Sequence, residues 1–227
     1  MFVENYNVSQ AELLIPAADL SEQISTAWME ASGTGNMKFA MNGALTIGTD
    51  DGANVEMRES VGDKWWPFLF GASAADNLKM KRERSYNPLD IYAKHPPIRR
   101  VVDALKDGSL TENEAEYEAL FHLHRSLVEG PPGLIADRFF VLNDLMSYYE
   151  TQRKVEQLYQ DHHRWAEYAL HNMAGMSPFS SDISIQTYAK TIWGLKKCPP
   201  HPEELARVRR EYSEHDRCRV TGMKAAS

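Results

Sequence analysis

Cysteine and long apolar runs are both scarce in this sequence. The two cysteines among 227 residues, Cys198 and Cys218, form no CxxC pair. A chain without a disulfide framework is typical of a reducing compartment. No apolar run approaches the roughly 18–20 residues of a membrane helix, and residues 1–20 lack the charged start and apolar centre of a signal peptide. We therefore expect a soluble, cytoplasmic protein.

An excess of positive charge is absent too, since the formal net charge is −7. The basic run Lys79–Arg84 is short and is interrupted by Glu83, which predicts a solvated helix face and no binding of nucleic acid. His122 and His124 are two residues apart and cannot share a helix face. We therefore expect no metal site.

Strand and helix signals alternate in the first third of the chain. Apolar runs at 45–49 and 68–71 predict buried strands, and residues 1–6 are interpreted as part of another strand. Helix patterns lie between them, so the order predicts βα units and a parallel sheet, an α/β fold. Asn54 is expected to cap the third helix. The predicted helices of this part are 8–15, 34–42 and 55–61.

Strand signals become rare after Gly71. We therefore predict an α/β segment over 1–71 and a helix-rich remainder over 72–227, with a loop at Gly130–Gly133. Two or three strands are too few for a complete doubly wound sheet, where about 5–6 are usual. The chain is therefore expected to be the C-terminal part of a larger domain. Its later helices are predicted at 73–84, 88–106 with a break at Pro96-Pro97, 112–128, 140–160, 162–174, 181–193 and 202–214.

The densest chemistry lies in the segment Glu30–Lys38, where a carboxylate, a glycine-bearing turn and a lysine follow one another. A turn at a helix start frees backbone N–H groups, and the partial positive charge there favours a phosphate. Lys38 lies three residues after Gly35, about one helical turn along. The segment therefore predicts an anion site with an amine beside it.

Glu30–Asn42 reads EASGTGNMKFAMN, and this stretch resembles the cofactor-lysine signature of the glycogen and starch (α-glucan) phosphorylases. Similarity to the same family continues on both sides and near the end of the chain. The resemblance is dense over about 1–71, thin over 72–175 and visible again over 176–195. The further similar segments are Ile15–Thr26, Asn42–Thr49, Asp51–Glu56, Phe179–Asp182 and Tyr188–Gly194.

The resemblance implies a fold and a cofactor site. Family members have two Rossmann-like lobes of the GT-B type, and this chain resembles the last part of the C-terminal lobe. The resemblance also implies that Lys38 carries pyridoxal 5′-phosphate as a Schiff base, since a primary amine condenses reversibly with the aldehyde. It further implies that the N–H groups of Thr34 and Gly35 hold the cofactor phosphate and that Tyr6 lines the pocket. The residues implied to contact the glucosyl unit are Glu30, Ser32 and Gly33.

The reaction implied by the resemblance is reversible phosphorolysis. Inorganic phosphate cleaves a terminal α-1,4 bond of a glucan and releases glucose 1-phosphate. The resemblance further implies that the family's basic phosphate-binding residues, and its histidine and asparagine contacts to glucose, come from upstream segments that these 227 residues lack. We therefore expect the isolated chain to be inactive. The resemblance also implies that the full-length protein forms a homodimer.

Two departures and two alternatives accompany this resemblance. Trp28 stands where the family usually has glycine, and Asp50 occupies a position that is usually apolar. One alternative is a different pyridoxal-phosphate enzyme that uses Lys38 for carbanion chemistry. The other is a non-catalytic helical interaction module over 72–227 that retains a relic motif. The aromatic residues expected to be core and not a carbohydrate platform are Trp65, Trp66, Phe68 and Phe70.

Overall fold

The computed structural model describes residues 2–130 and 134–221, with side chains as far as Ser213. Most of the predicted Gly130–Gly133 loop therefore lies outside the described residues. The chain forms two compact units, residues 1–180 and residues 181–227.

A three-stranded parallel sheet lies in the first unit. Its strands are β1 (Leu20–Gln23), β2 (Leu45–Gly48) and β3 (Phe68–Leu69), in the spatial order β1-β2-β3. Leu20 pairs with Leu45, and Ile47 pairs with Phe68. The predicted α/β fold with a small parallel sheet is confirmed.

The strand expected over residues 1–6 is wrong. Residues 2–6 contain no strand, and Phe2 is 93% exposed. Apolar residues form a buried strand only where a neighbouring strand and a core receive them. The edge strand is instead β1, whose residues after Leu20 are all polar, and this polarity hides it from a pattern of apolar residues.

Three α-helices precede or connect the strands of this sheet along the chain. The prediction that Asn54 caps α3 is wrong, because the helix begins at Ala53, two residues earlier than predicted, and Gly52 occupies the cap position. The Asn54 side chain is buried and donates to the Thr49 carbonyl at 3.0 Å, so its amide stabilises the preceding turn. The helices are α1 (Val8–Leu14), α2 (Gly35–Met41) and α3 (Ala53–Val61), with 3₁₀ turns at Ile15–Ala17 and Asp63–Trp65.

Six further α-helices follow β3 in the described residues of the first unit, and a 3₁₀ turn at Ser177–Phe179 comes after them. Asn side chains cap α5 and α7, and Pro88 and Pro96 begin α5 and α6, which places the predicted break between two separate helices. The exposed basic run ends α4, as predicted. The helices are α4 (Ala74–Glu83), α5 (Pro88–Lys94), α6 (Pro96–Ala104), α7 (Glu114–Val128), α8 (Val141–Tyr159) and α9 (His162–Gly175).

Helices α8 and α9 pack on the sheet. Val155 of α8 and Trp165 of α9 join the buried cluster that contains Ile47, Phe68 and Phe70. Trp66 is buried in a second cluster, so the predicted core role is confirmed for Trp66, Phe68 and Phe70. Trp65 is only partly buried and belongs to neither cluster. The boundary predicted at 71/72 stays a prediction.

As far as residue 221, the second unit contains two helices, α10 (Ser181–Thr191) and α11 (Pro202–Thr221). Both were predicted from the sequence, although α11 continues beyond residue 214. In the part of the chain that the structure describes, no helix is long and apolar enough to cross a membrane.

Candidate functional site

The Glu30–Lys38 segment lies at the carboxyl edge of the sheet. It belongs to the connection that leaves β1. The loop that leaves β2 lies against it, and Asp51 of that loop accepts a hydrogen bond from the Glu30 N–H. The carboxyl ends of parallel strands are the common ligand-binding edge of open α/β sheets. The position of the segment in the fold therefore suits a binding site.

The buried carboxylate of Asp51 fixes the backbone at the start of this segment. Its carboxylate is 6% exposed and accepts hydrogen bonds from three successive backbone N–H groups. These come from Trp28 at 2.8 Å, Met29 at 3.2 Å and Glu30 at 2.8 Å. The Ser25 hydroxyl donates a fourth bond at 3.0 Å. Hydrogen bonds to a charged acceptor are the stronger ones in proteins, so Asp51 fixes the backbone from which the Glu30 side chain projects.

Gly52 and Ala53 continue this support. The Ala53 N–H donates to the Ser32 carbonyl at 2.7 Å. Gly52 has φ +52°, and a Cβ placed there would lie 2.6 Å from the Ser32 carbonyl oxygen. Only glycine lets the two loops approach this closely.

A buried pair of amides joins α2 to α3. Asn36 donates its Nδ2 to Oδ1 of Asn54 at 2.9 Å, and Asn36 Oδ1 accepts from the Met37 N–H at 2.9 Å. Both side chains are 3% exposed. Because both amides are satisfied, they orient the first turn of α2, which carries Lys38, without an unpaired polar group in the core.

Trp28 has φ +92°, a conformation that glycine adopts much more readily than tryptophan. This is the position where the resembled family usually has glycine. The indole is accommodated because it points away from the loop, edge-on to Phe140 at a centroid distance of 5.6 Å. The Lys81 ammonium lies 5.4 Å from the centre of the indole ring.

The predicted site side chains point outward. Lys38, Glu30, Ser32 and Thr34 are exposed, and Gly33 and Gly35 are partly exposed. Within residues 2–130 and 134–221, no acceptor lies within hydrogen-bond reach of the Thr34 or Gly35 N–H. A Cβ at Gly35 would meet nothing within 4 Å, so open space lies beside that backbone.

Lys38 also faces a shallow groove of about 380 Å³ between α1 and α2. Tyr6 is 59% exposed, and neither it nor Thr34 and Gly35 is among the described residues that line this groove. The structure therefore brings Lys38 and the α2 start together on one helix but does not bring Tyr6 into a shared cavity with them. The groove is lined by Val8, Ala11, Glu12, Ile15, Pro16, Lys38 and Asn42.

Comparison with known proteins decides the family. A model of the carbohydrate phosphorylases matches residues 1–195. The chain belongs to the carbohydrate phosphorylase family. It is 50% identical over 202 residues to a glycogen phosphorylase of Chlamydia pneumoniae, and 44% identical over 196 residues to that of Bacillus subtilis (strain 168). It is also 44% identical over 207 residues to the muscle form of Homo sapiens.

These matches cover 87%, 86% and 90% of the present chain, respectively, but 23% of each relative. The chain thus spans about a quarter of the length of the curated phosphorylases that it matches. Family membership gives no support to the two alternatives considered from the sequence, a different pyridoxal-phosphate enzyme and a non-catalytic module.

Sequence reasoning missed the residues whose buried groups fix the backbone of the phosphorylase motif. Asp51 and Gly52 were placed only within a segment that resembles the family, with no supporting role, and Asn54 was expected to cap a helix. Their signal was their position directly after a buried strand, at the edge where ligands bind. Asp50, the departure beside them, forms an ion pair with Arg58 at 3.2 Å. A hydrogen bond from Arg58 to Asp63 and the charge of Asp50 raise the pKa of the guanidinium further, so Arg58 stays charged.

Metal chemistry finds no support in the described part of the chain, where no group of three or more histidine, cysteine or acidic side chains could hold an ion. His124 is buried against Phe121, and desolvation lowers its pKa. It is a neutral core residue there.

Proposed function

We propose that this chain forms the cofactor-bearing part of an α-1,4-glucan phosphorylase. In this proposal, a glucan and inorganic phosphate are converted reversibly to glucose 1-phosphate, and pyridoxal 5′-phosphate is bound at Lys38. The relatives are named glycogen phosphorylases, and two of them are 50% and 44% identical to this chain over the matched residues. The finer fold assignment, the last part of a GT-B C-terminal lobe, belongs to the same proposal.

One observation carries the proposal. The backbone of the motif is held by buried hydrogen-bonding groups, whereas its reactive side chains are exposed. Asp51 is 6% exposed and fixes the Glu30 backbone, while the Glu30 and Lys38 side chains face outward. A segment that served packing alone would bury its side chains. This arrangement instead presents an amine and a carboxylate on a rigid support.

The residues present fit pyridoxal phosphate. Lys38 supplies a primary amine that condenses with the aldehyde. The N–H groups of Thr34 and Gly35 have no other described acceptor and lie at a helix start, where they would hold the phosphate. The open space beside Gly35 allows the phosphate to approach the backbone. When bound, the group supplies a phosphate monoester with a second pKa of about 6, suited to proton exchange near neutral pH.

The sugar contacts would come from the same loop. The Glu30 carboxylate accepts hydrogen bonds from sugar hydroxyl groups, and the N–H groups of Ser32 and Gly33 donate to them. Asp51 contributes by holding Glu30 in place, and Gly52 by letting the second loop reach Ser32. Tyr6 would line the cofactor pocket only after the exposed segment before α1 is covered by other parts of a longer protein.

The proposal divides the active site between this chain and segments absent from its 227 residues. Two phosphates held close together repel each other, and cationic side chains must offset that repulsion. No such cluster lies in the motif, where Lys38 supplies the single cation of Glu30–Lys38. The upstream segments of a full-length phosphorylase would bring the other cations. The homodimer would likewise belong to the full-length form.

The test of the cofactor site is borohydride reduction after incubation with pyridoxal phosphate, followed by peptide mass spectrometry. We expect one pyridoxyl adduct, on Lys38. It should disappear in Lys38→Arg, which keeps the charge but cannot condense, and persist in the control Lys79→Arg, another exposed lysine. Adducts spread evenly over exposed lysines, or none on Lys38, would contradict the proposal.

A second measurement tests the division of the site. The purified chain, given glucan and phosphate, should release no glucose 1-phosphate. Addition of a separately expressed N-terminal part of a phosphorylase should restore release, and Lys38→Arg should abolish the restored activity. Robust release by this chain alone would show that no group is missing.

A further inference from the structure

A larger cavity, with a volume of about 720 Å³, lies in the first unit next to the residues that precede Glu30. This volume is within the range of about 300–1,000 Å³ that is usual for small-molecule sites. Three chain segments that are distant in sequence converge on it: Trp28-Met29, the end of α4 as far as Tyr86, and residues 134–140. The cavity lining includes none of Glu30, Lys38 and Thr34, and it is therefore separate from the proposed cofactor site.

The floor of the cavity is aromatic. Phe140 is 5% exposed, and the Tyr86 ring stacks on it at a centroid distance of 4.5 Å. The half-buried Trp28 indole meets the same phenyl ring edge-on. The exposed apolar side chains of Met29, Leu134 and Ile135 extend this surface toward the opening.

The one carboxylate in the lining is already engaged. Asp137 is 3% exposed and accepts from the Tyr86 hydroxyl at 2.5 Å. It also accepts from the N–H groups of Val141 and Leu142, each at 2.8 Å. Asp137 therefore caps α8 and positions Tyr86, and its lone pairs are directed into the protein framework.

The rim of the cavity is cationic. Lys81, Arg84 and Arg138 all line it and are exposed. In the described residues, none of the three forms an ion pair within 4.0 Å. The lining thus combines a flat aromatic floor with a surplus of positive charge at the mouth.

Backbone strain is concentrated at the same place. Five non-glycine residues have positive φ in the described chain, and four of them line this cavity. Strained backbone conformations persist where the surrounding structure enforces them, and they cluster at functional sites. The four are Trp28 (φ +92°), Arg84 (+51°), Asp137 (+45°) and Phe140 (+56°).

We propose that this cavity is a binding site for a planar aromatic anion. The ring system packs on Trp28, Tyr86 and Phe140, and the acidic group pairs with Arg84 and Arg138. Aromatic stacking and guanidinium pairing are the two interactions that the lining offers. A neutral ring would use one of them, and a small inorganic anion the other.

The test uses naphthoate, a fluorescent planar carboxylate, titrated into the full 227-residue chain. Naphthoate has no aldehyde and cannot attach to Lys38, so its binding is independent of the proposed cofactor. We expect saturable binding below about 1 mM, and binding about tenfold weaker for uncharged naphthalenemethanol, because that alcohol lacks a charge-assisted bond.

Variants locate the bound probe. Arg84→Gln and Arg138→Gln should each weaken naphthoate binding about tenfold, and Trp28→Gly should weaken it while removing the strained φ. Lys79→Gln and Arg82→Gln are matched controls, because both residues are exposed on α4 and neither lines the cavity. They should leave binding unchanged. Equal binding of the alcohol, equal losses in the control variants, or no saturation would overturn the proposal.

Discussion

The Glu30–Lys38 segment and strand β2 lie side by side, but they are stabilised in different ways. All four residues of β2 are buried, and Leu45 and Ile47 are 0% exposed in the sheet core. The motif segment exposes most of its side chains and is held by hydrogen bonds to its backbone. The strand is held in place by burial of its side chains. The motif is held in place by hydrogen bonds between its backbone and the loop that follows the strand. The motif can therefore be loosened without loss of the core.

Loss of the core should have the largest effect. Phe68 is 1% exposed and packs beside Trp165 and Ile47. Phe68→Ala leaves a cavity and should lower the free energy of unfolding by about 3–5 kcal/mol. Leu69→Ala is the matched control on the same strand, since Leu69 is 37% exposed, and it should cost less than about 1 kcal/mol. Urea unfolding measures both, and equal losses would show that β3 is not a core strand.

Asp51→Asn should have the next largest effect, and it acts on the motif. The amide replaces one acceptor oxygen with an NH₂ group, which would face the N–H groups of Trp28, Met29 or Glu30. A buried donor left unpaired costs roughly 1–3 kcal/mol. We therefore expect a loss of about 2–3 kcal/mol in urea unfolding, together with less pyridoxyl adduct on Lys38.

The neighbouring Asp50→Asn is the control for Asp51→Asn. Asp50 is partly exposed and pairs with Arg58 on α3, and surface ion pairs contribute at most about 1 kcal/mol. Its substitution should change stability little and the adduct not at all. If Asp50→Asn lowered both as much as Asp51→Asn did, the backbone contacts of Asp51 would not be what supports the motif.

Local patterns in the sequence were enough to predict β2, β3 and the helices. The apolar run at 45–49 is a strand signal in itself, and the Gly35–Met41 helix follows a glycine-bearing turn. Strand β1 was missed because Ser21, Glu22 and Gln23 are polar, and its pairing partner lies some twenty-five residues later.

The motif itself was predictable, whereas its support was not. Lys38 and Glu30 are recognised within one continuous stretch. Asp51 acts on residues 28–30, and Gly52 is required because Ser32 lies against it. These contacts exist only after two loops meet at the edge of the sheet, and no periodicity along the chain records them. The positive φ of Trp28 is likewise set by the fold and not by its residue type.

Substitutions at two glycines distinguish the stability of the motif from its binding of the cofactor phosphate. Gly52→Ala places a Cβ 2.6 Å from the Ser32 carbonyl oxygen at φ +52°, and it should cost about 2 kcal/mol. Gly35→Ala meets nothing within 4 Å and lies in a helix. The free energy of unfolding of the Gly35→Ala variant should rise by up to about 1 kcal/mol. The added methyl group would nevertheless hinder a phosphate at that N–H, so the pyridoxyl adduct should decrease.

Urea unfolding and the yield of adduct on Lys38 test this pair of substitutions together. Gly62→Ala is a control for the backbone cost alone, because Gly62 has φ +86° but open space around it. If Gly35→Ala retained the full yield of adduct, the N–H groups at the α2 start would not hold the cofactor phosphate.

Lys38→Ala should have the smallest effect on stability and the most complete effect on the proposed chemistry. The Lys38 side chain is exposed, and its backbone bonds to Thr34 and Asn42 do not depend on it. Alanine also favours the helix, so the free energy of unfolding should change by no more than about 0.5 kcal/mol. The adduct should vanish. If Lys38→Ala lowered the free energy of unfolding as much as Asp51→Asn does, Lys38 would be one of the residues that stabilise the motif. The distinction between a rigid backbone support and an exposed reactive side chain would then not hold for Lys38.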